Sequence, residues 1–441
     1  MTTAPASVSP RQLPCGGVPA GIVHVPGDKS LSHRSLIFAS LAPGEYTLRG
    51  LSQGADVHAT ASVLEALGIP VQRGAGTGPW VVGDGSFREP SDILDCGNSG
   101  TSIRLLTGLL AGYPFLSVLT GDVSLRSRPM ARIAHPLQAM GAQVDGRKGG
   151  GFAPLVVRGG GLRGLDHRSP VPSAQVKSCL LLAGLAANGD IIVREKHRSR
   201  DHTERMLPAF GVQVEILPDG VAMRGGQSLQ AAETDTLDVP ADISAAAFFL
   251  VLAGIRQGAD ITVPGVGVNP TRDGVLEALA AAGVSVERSR ERVEAGERVA
   301  DLRVHESQLR SFDVGGSLVP RLIDEIPVLA VLAARCPGVS RFRDAADLRA
   351  KESDRITQVV RLLSALGVRV DEYADGFDVH GHPERAFSVI GVADAAHDHR
   401  IAMAAAIAAT CASEPLLLTG SESVDSSFPG FFATLEGCLV R

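Results

Sequence analysis

The stretch FGVQVEILPDGVAMRG, residues 210–225, decides the fold because its pattern returns along the whole chain. An apolar residue that would end a helix is followed by a glycine and then by alternating apolar and polar residues. The pattern recurs as LGIPVQR (67–73), MGAQVDG (140–146), AGVSVER (282–288) and LGVRVDE (366–372), with a shortened copy, LEGCLVR, at 435–441. Successive glycines lie 70 to 84 residues apart, which indicates six copies of one structural unit.

Each copy also contains an apolar helix that opens after a residue suited to N-capping. The predicted caps are Asp28, Asn98, Ser173, Asp242, Asp324 and Asp398. A short strand and a second helix follow, and a hairpin comes after the glycine. The sequence therefore predicts an α/β protein built from βαββαβ repeats.

Six repeats divide naturally into two domains of three. The sixth repeat lacks a hairpin strand, which the segment GIVHVPGD (21–28) is placed to supply. This predicts a terminal domain of residues 1–26 plus 240–441, closed by both termini, and an inserted domain of residues 27–239. Because helix N-termini attract anions, we expect the polar helix starts to face each other across a cleft that holds the active site.

Composition excludes several classes of partner. The chain has 441 residues, 44% of them hydrophobic, and a formal net charge of −6, which argues against nucleic-acid binding. Its longest apolar runs, such as AAAFFLVLAGI (245–255), are shorter than the ~18 residues of a membrane span. Without a signal-like segment the expected location is the cytoplasm. The six cysteines have neither zinc-site nor disulfide spacing, so no metal is expected.

Cationic clusters lie in phase with the repeat. They are GDKSLSHRS (27–35), SLRSRPMAR (124–132), HRSRDHTER (197–205), RAKESDR (349–355) and HDHRIAM (397–403), and CGNSGTSIR (96–104) adds a glycine-rich helix start. Any one cluster is typical of a solvated surface. Several clusters at helix starts of an acidic protein favour the binding of a small molecule with several negative charges.

The motifs resemble those of the 5-enolpyruvylshikimate-3-phosphate synthase family. In order they are GDKSLSHR, GNSGT, RSRPM, SAQVKS, RDHTE, NPTR, IDEIP, KESDR and DHRIAM, and they extend from about residue 22 to residue 432. The forms SAQVK, RDHTE and NPTR resemble the second, bacterial class. The resemblance implies two domains of three repeats each, an inverse α/β barrel of the enolpyruvyl transferase type. It also implies transfer of the enolpyruvyl group of phosphoenolpyruvate to the 5-hydroxyl of shikimate 3-phosphate, releasing phosphate, in aromatic amino-acid biosynthesis. No cofactor or metal is implied, and a monomer is expected.

The resemblance also assigns the site residues. For catalysis it implies Asp324, Glu352 and Lys29. For binding shikimate 3-phosphate it implies Lys29, Ser30, Arg34, Ser173, Ala174, Gln175, Arg200, Asp324 and Lys351. For binding phosphoenolpyruvate it implies Lys29, Asn98, Gly100, Arg128, Gln175, Arg355 and Arg400. Two carboxylates suit the reaction because a proton must leave the hydroxyl while another reaches the methylene carbon. The structural alternatives are a plain N-cap for Asp324 and a helix-face partner of Arg355 for Glu352.

Two other functions stay open at this stage. One is the related enolpyruvyl transferase that acts on UDP-N-acetylglucosamine, which shares the repeat. That family has a Lys-Asn pair where this chain has Lys29-Ser30, and it uses a loop cysteine that does not occur between Tyr113 and Arg128 here. The other is a noncatalytic anion-binding protein on the same scaffold. The chain also departs from the best-known synthase class at Ser426, where that class has a lysine.

Overall fold

The structure, a computed structural model, describes residues 10–294, 296–305 and 307–440. The predicted terminal domain also includes residues 1–9 and Arg441, which lie outside the described residues. The chain divides into two compact units. Unit 1 contains the residues up to Val25, Ala241–Arg292 and the residues from Val299 onward, and unit 2 contains Pro26–Pro240 and Val293–Arg298. The predicted terminal domain contains residues 293–298, whereas their contacts place them in unit 2.

The described chain starts with two strands of unit 1, β1 (Arg11–Leu13) and β2 (Val18–Ile22). The helices and strands of unit 2 follow in chain order: α1 (Lys29–Leu41), β3 (Tyr46–Arg49), α2 (Ala55–Ala66), β4 (Val71–Gln72), β5 (Trp80–Val82), β6 (Leu94–Asp95), α3 (Gly100–Leu110), β7 (Leu116–Thr120), α4 (Val123–Ser127), α5 (Ala131–Met140), β8 (Gln143–Gly146), α6 (Arg147–Gly150), β9 (Phe152–Arg158), β10 (Arg163–Arg168), α7 (Ala174–Gly184), β11 (Asn188–Arg194), α8 (His202–Met206), β12 (Val214–Leu217), β13 (Gly220–Met223) and β14 (Thr236–Asp238).

The chain then returns to unit 1. Its remaining helices and strands are α9 (Ile243–Gly254), β15 (Asp260–Gly267), α10 (Gly274–Ala281), β16 (Glu287–Glu294), β17 (Glu297–Val304), β18 (Asp313–Val314), α11 (Val319–Leu322), α12 (Ile326–Arg335), β19 (Gly338–Phe342), α13 (Arg355–Ala365), β20 (Val370–Tyr373), β21 (Gly376–Gly381), β22 (Ala393–Asp394), α14 (His399–Ala409), β23 (Leu416–Thr419), α15 (Phe431–Cys438) and β24 (Leu439–Val440).

Each unit contains three small sheets, and most of them share one topology. In β6-β7-β9-β8, β10-β11-β13-β12 and β18-β19-β21-β20, the first two strands are parallel and the hairpin adds antiparallel strands. The order of elements in a repeat is therefore βαβαββ. The predicted order βαββαβ was wrong: both hairpin strands follow the second helix, so only the one short strand described above lies between the helices of a repeat.

Two repeats exchange their first strands. Strand β14, which precedes α9 in the chain, lies parallel to β3 in unit 2, with Leu237 opposite Leu48. Strand β2, which precedes α1, lies parallel to β15 in unit 1, with Gly21 opposite Ile261. In unit 1, β2 also pairs with β24 and β1 pairs with β23, both antiparallel. The first strands of the two exchanged repeats are thus supplied from distant parts of the sequence.

The first helix of each repeat forms the core of its unit. All twelve residues of α9, ISAAAFFLVLAG, are buried, as its lack of a polar face predicts. Helices α12 and α14 are buried with it in unit 1, and α1, α3 and α7 form the equivalent centre of unit 2. Helices lie inside and sheets outside in each unit, which confirms the predicted α/β fold with its helices at the centre.

The repeat glycines behave as predicted in five of the six copies. Gly68, Gly141, Gly211, Gly283 and Gly367 follow helices and have φ between 71° and 106°. In this left-handed region glycine avoids the steric cost of a side chain. The sixth glycine, Gly437, lies inside α15, so the last copy ends differently. No helix among the described residues is long and apolar enough to cross a membrane.

Candidate active site

In unit 2 the polar helix starts are well-capped N-termini. The Asp28 carboxylate accepts the N–H of Leu31 at 2.9 Å at the start of α1. The Ser173 hydroxyl accepts the N–H of Val176 at 3.4 Å at the start of α7. At α3 the cap is Ser99 and not the predicted Asn98, because the helix begins one residue later than expected. The remaining N–H groups of each first turn have no partner within the helix, which suits them to bind anions.

Lys29, the first residue of α1, lies beside a carboxylate. Its Nζ is 3.0 Å from Oδ2 of Asp56 in α2, and the lysine side chain is 22% exposed. The ion pair holds the ammonium group at the start of the helix while part of it stays open to solvent. The lysine is therefore oriented and still accessible to a ligand.

Arg34 is held much more deeply. Its Nε donates to Oγ1 of Thr203 at 2.8 Å and its Nη2 to Oγ of Ser178 at 2.6 Å. Nη1 donates to the carbonyl oxygen of Ser30 at 2.8 Å. Burial lowers the pKa of the Arg34 guanidinium to about 10, so it remains charged at neutral pH. These bonds fix the orientation of the guanidinium group, and its positive charge contributes to a positive potential at this end of α1.

His33, next to Arg34, is completely buried. Its Nδ1 lies 2.7 Å from Oγ1 of Thr60, which is 2.6 Å from Oγ of Ser102, and Ser102 in turn bonds to the cap residue Ser99 at 2.7 Å. Burial lowers the pKa of His33 to about 3, so the imidazole is neutral near pH 7. This chain of hydrogen bonds joins α1, α2 and the start of α3.

The glycine-rich start of α3 brings arginines close to the backbone. Nη2 of Arg128 donates to Oδ1 of Asn98 at 2.6 Å, and Nδ2 of Asn98 donates to Oδ2 of Asp122 at 2.6 Å. A Cβ atom on Gly100 would lie 2.7 Å from Nη1 of Arg104 and 3.3 Å from Nη1 of Arg128. Gly100 is therefore the residue that lets two guanidinium groups approach this turn.

Arg104 lies among the predicted phosphoenolpyruvate residues but was not itself predicted. Its Nη1 donates to Oε1 of Gln175 at 2.7 Å, and Nε2 of Gln175 donates to Oγ1 of Thr101 at 3.0 Å. The predicted residues Gln175 and Gly100 thus meet through this arginine. The available signal was its position at the end of CGNSGTSIR, one helical turn after Gly100.

Arg200 lies in the loop between β11 and α8 and is partly exposed. Ser173 and Ala174 lie at the start of α7, where Ala174 offers only backbone and packing contacts. Unit 2 therefore contains the predicted residues as three groups, at the starts of α1, α3 and α7, with Arg200 in the loop before α8.

In unit 1 the predicted carboxylates and cations form one network. Oδ1 of Asp324 accepts from Nζ of Lys351 at 3.2 Å and from Nη1 of Arg355 at 3.1 Å. Nη2 of Arg355 donates to Oε2 of Glu352 at 2.6 Å. Nη1 of Arg400 donates to the backbone carbonyl of Asp324 at 3.0 Å. The structure thus brings together the five predicted residues of this half of the chain.

The N-cap interpretation of Asp324 was wrong. Helix α12 starts at Ile326 and its N-cap position is Glu325, whereas Oδ1 of Asp324 pairs with Lys351 and Arg355. Glu325 is buried, hydrogen-bonds to the hydroxyl of Ser244, and lies 3.7 Å from Nη1 of Arg400. The alternative interpretation of Glu352, a helix-face partner of Arg355, is correct for the i,i+3 contact but wrong for the helix face, because Glu352 lies before α13, which begins at Arg355.

Arg355 is the centre of this network. Its side chain is 1% exposed, and its Nε donates to Oδ2 of Asp398, the N-cap of α14, at 2.8 Å. Burial by itself would lower the pKa of Arg355, but the carboxylates of Asp398, Glu352 and Asp324 outweigh it and raise that pKa. The same guanidinium keeps the pKa of Asp398 below its ordinary value although burial opposes this. Both groups remain charged, so the network has a fixed geometry.

The residues at 10–294, 296–305 and 307–440 contain no group of three or more His, Cys, Asp or Glu side chains that could hold a metal ion. At Ser426, where the best-known class has a lysine, the hydroxyl donates to the carbonyl oxygen of Ser423 at 2.7 Å.

Comparison with known proteins identifies the family. The family model described as EPSP synthase (3-phosphoshikimate 1-carboxyvinyltransferase) matches residues 17–435. The chain is 47% identical over 424 residues to the 3-phosphoshikimate 1-carboxyvinyltransferase of Citrifermentans bemidjiense, covering 96% of this chain and 97% of the relative. It is 47% identical over 419 residues to the enzyme of the same name from Desulfitobacterium hafniense, covering 94% of each.

Solved structures agree with this assignment. The EPSP synthase of Acinetobacter baumannii is 39% identical and superimposes with a TM-score of 0.87, covering 98% of this chain and 99% of that one. The enolpyruvyl transferase NikO of Streptomyces tendae is 16% identical with a TM-score of 0.77, covers 98% of each chain, and shares the fold. The chain belongs to the EPSP synthase (3-phosphoshikimate 1-carboxyvinyltransferase) family.

Proposed function

We propose that the cations described above hold the two anionic substrates of the family's reaction, and that Asp324 and Glu352 carry its protons. The chain is a 3-phosphoshikimate 1-carboxyvinyltransferase. It transfers the enolpyruvyl group of phosphoenolpyruvate to the 5-hydroxyl of shikimate 3-phosphate and releases phosphate. The observation that carries the residue assignment is the network in which Asp324 accepts from both Lys351 and Arg355.

The proposed chemistry has two steps. In the addition, the 5-hydroxyl oxygen attacks the substituted alkene carbon of phosphoenolpyruvate, Asp324 takes the hydroxyl proton, and a proton reaches the methylene carbon, which becomes a methyl group. In the elimination, that methyl group loses a proton, the alkene forms again, and the carbon–oxygen bond to phosphate breaks. Glu352 is the proposed group for the proton traffic at the methyl carbon, and Lys29 contacts both substrates.

Shikimate 3-phosphate is proposed to bind at the starts of α1 and α7. The proposed residues are Lys29, Ser30, Arg34, Ser173, Ala174, Gln175, Arg200, Asp324 and Lys351. Free N–H groups at both helix starts and the charge of Arg34 support this, because a dianionic phosphate is best stabilised by fixed donors and cations. Arg34 is bonded on all three of its nitrogen atoms to the protein, so its contribution is a fixed charge as well as any direct contact.

Phosphoenolpyruvate is proposed to bind at the start of α3 and to the cations of unit 1. The proposed residues are Lys29, Asn98, Gly100, Arg128, Gln175, Arg355 and Arg400. The close approach of two guanidinium groups to Gly100 supports this, since a phosphate and a carboxylate need several cations. Arg104 joins this set through its bond to Gln175.

The decisive experiment is a phosphate-release assay with phosphoenolpyruvate and each candidate acceptor. We expect release with shikimate 3-phosphate and none with UDP-N-acetylglucosamine, an alternative that the comparisons do not favour. Loss of release in Lys351→Met and Arg355→Met, with retention in the exposed control Arg369→Met, supports the residue assignment. Wild-type release in both site variants would refute it.

We also propose that the enzyme belongs to the second, bacterial class and works as a monomer in the cytoplasm. The motifs SAQVK, RDHTE and NPTR and the bacterial relatives at 47% identity support the class. Light scattering should give a single species near 45.9 kDa, and a stable species of twice that mass would exclude the monomer.

A further inference from the structure

A buried charge cluster in unit 2 has no role in the chemistry described above. Nζ of Lys177, on the first turn of α7, lies 3.0 Å from Oε2 of Glu195 and 2.8 Å from Oε1 of Glu204. The three side chains are 2% or 3% exposed. A lysine removed this completely from water persists in a fold only where carboxylates compensate its charge.

Glu195 joins two segments of the chain. Its Oε1 accepts the backbone N–H of Ser173 at 3.1 Å and the hydroxyl of Ser199 at 2.6 Å. Its Oε2 accepts the backbone N–H of Ser199 at 3.1 Å, and Lys177 donates to the carbonyl oxygen of Ser199 at 3.3 Å. One carboxylate therefore connects the cap of α7 to the residue that precedes Arg200.

The two connected segments are those that supply Ser173, Ala174, Gln175 and Arg200 to the proposed shikimate 3-phosphate site. A carboxylate beside such a site would repel a dianionic ligand if its charge were not compensated. Lys177 supplies that compensation from the side of the helix core. Glu195 thus provides the hydrogen-bond acceptors that fix the spacing of the two segments, while Lys177 reduces the negative charge that Glu195 and Glu204 would together place there.

We propose that Glu195 and Lys177 are positioning residues that set the distance between the start of α7 and Arg200, and so determine affinity for the phosphate group of shikimate 3-phosphate. This inference rests on the proposed site. Of the residues assigned to phosphoenolpyruvate, only Gln175 belongs to these segments, and Arg104 and Thr101 hold its side chain separately. Disruption of the pair should therefore weaken the binding of shikimate 3-phosphate and leave that of phosphoenolpyruvate nearly unchanged.

The first test compares Glu195→Gln, just after β11, with a control on the neighbouring strand β10. Glutamine keeps the shape of the side chain, but its NH2 group replaces one acceptor oxygen and would face N–H and O–H groups that are themselves donors. We expect the KM for shikimate 3-phosphate to rise roughly 10- to 100-fold, the usual effect of removing a group that orients a binding residue, with kcat and the KM for phosphoenolpyruvate nearly unchanged. Asp166→Asn breaks the exposed ion pair of Arg194, one residue before Glu195, and should change none of these constants.

A milder variant guards against misfolding. Ser199→Ala removes only the 2.6 Å bond to Glu195 and keeps the backbone contact. A loss of one such hydrogen bond should raise the KM for shikimate 3-phosphate by roughly 2- to 10-fold. If Glu195→Gln does not fold, Ser199→Ala decides, and an unchanged KM in a folded Ser199→Ala protein overturns the inference.

The role of the charge is tested by calorimetric titration with shikimate 3-phosphate alone. Lys177→Met should weaken binding more than the double variant Lys177→Met/Glu195→Gln, because the single variant leaves two carboxylates without their lysine and the double variant leaves only Glu204. If the Kd of the double variant rises by the product of the rises in the two single variants, the two substitutions act independently and the charge-compensation argument is wrong.

Arg200→Ala separates failure of this inference from failure of the proposed site. If Arg200→Ala leaves the KM for shikimate 3-phosphate unchanged, the proposed site and the positioning role of Glu195 and Lys177 are both refuted. If Arg200→Ala raises that KM while folded Glu195→Gln does not, the site stands and the positioning role is refuted. An equal rise in the KM of both substrates with a lowered Tm would show a purely structural role and would also overturn the inference.

Discussion

At the scale of single residues, the proposed role of Asp324 as the base can be tested directly. Its carboxylate is shared by Lys351 and Arg355, and the helix start is left to Glu325. Asp324→Asn keeps the shape and one acceptor but removes the base. We expect turnover to fall by about 10²- to 10⁴-fold, the usual contribution of a positioned general base, while shikimate 3-phosphate still binds. Stopped-flow turnover with parallel titration checks this, and near-normal turnover would refute the proposed role.

Glu352 needs a different experiment because it also contacts Arg355. In deuterated water, deuterium should enter the methylene group of unreacted phosphoenolpyruvate whenever the addition step reverses. We expect Glu352→Gln to abolish this exchange, and Glu372→Gln, which affects an exposed partner of Arg349, to preserve it. Affinity for both substrates must be measured beside it, because weaker binding would imitate a chemical defect. Normal binding with exchange at the wild-type rate would assign Glu352 a structural role only.

The buried His33 predicts a pH dependence of stability. The folded-state pKa is lowered from 6.5 to about 3 by burial, so the unfolded chain binds a proton in this window that the folded chain does not. Stability should therefore fall as pH drops below about 6.5, by up to about 1.4 kcal/mol per pH unit from this group. Urea unfolding between pH 5 and 7 should show a shallower dependence in His33→Gln than in wild type. The exposed control His135→Gln should keep the wild-type slope, and an equal slope in His33→Gln would contradict the assignment.

At the scale of elements, the sequence correctly predicted the features that depend on a few neighbouring residues, namely the glycine conformations and most of the helix caps. The glycines after α2, α5, α10 and α13 have the left-handed φ that their position requires, and Asp28, Ser173, Asp242 and Asp398 cap helices as expected. The starts at Asn98 and Asp324 were each misplaced by one residue, because several polar residues there can occupy the N-cap and packing selects among them. The contact of Arg104 with Gln175 joins residues 71 positions apart, which no local pattern encodes.

Two repeat glycines of unit 1, Gly283 and Gly367, allow the effect of steric crowding to be separated from that of backbone strain. Both Gly283 and Gly367 have positive φ, so an alanine at either position should cost about 1–2 kcal/mol. A Cβ on Gly283 would also lie 1.9 Å from the carbonyl oxygen of Gln308, whereas the nearest atom to a Cβ on Gly367 is 3.3 Å away. We expect Gly283→Ala to lower the free energy of unfolding clearly more than Gly367→Ala in urea titrations. Equal losses would show that backbone strain alone matters.

At the scale of the whole molecule, pairing between distant strands was the least predictable feature. Sequence neighbours are the default partners in a sheet, so the repeat pattern gives no reason to expect β14 beside β3 or β2 beside β15. The exchange follows from each unit completing its own sheets: neither β3 nor β15 has a preceding strand within its own unit's continuous segment of chain. The amino-acid composition of β2 and β14 predicts that they form strands. Their partners, β15 and β3, are seen only in the folded molecule.

This arrangement leads to a prediction about the amino-terminal segment. Strand β1 pairs with β23, β2 pairs with β15 and β24, and the carbonyl of Gly17 accepts from Nη2 of Arg256 at 2.6 Å. Removal of residues 1–9 leaves all these bonds, whereas removal of residues 1–24 leaves unpaired edges in two sheets of unit 1.

We therefore expect the shorter truncation to have wild-type stability and the longer one to lose hydrogen-exchange protection in β15 and β23. Strand β7 belongs to unit 2 and pairs with β6 and β9, so it should keep its protection and serves as the internal control. Because three strands lose partners together, the loss in unit 1 should be cooperative and not limited to fraying of one edge. Equal protection of β15 and β23 in the two truncated proteins would show that the amino-terminal strands cover unit 1 without stabilising it.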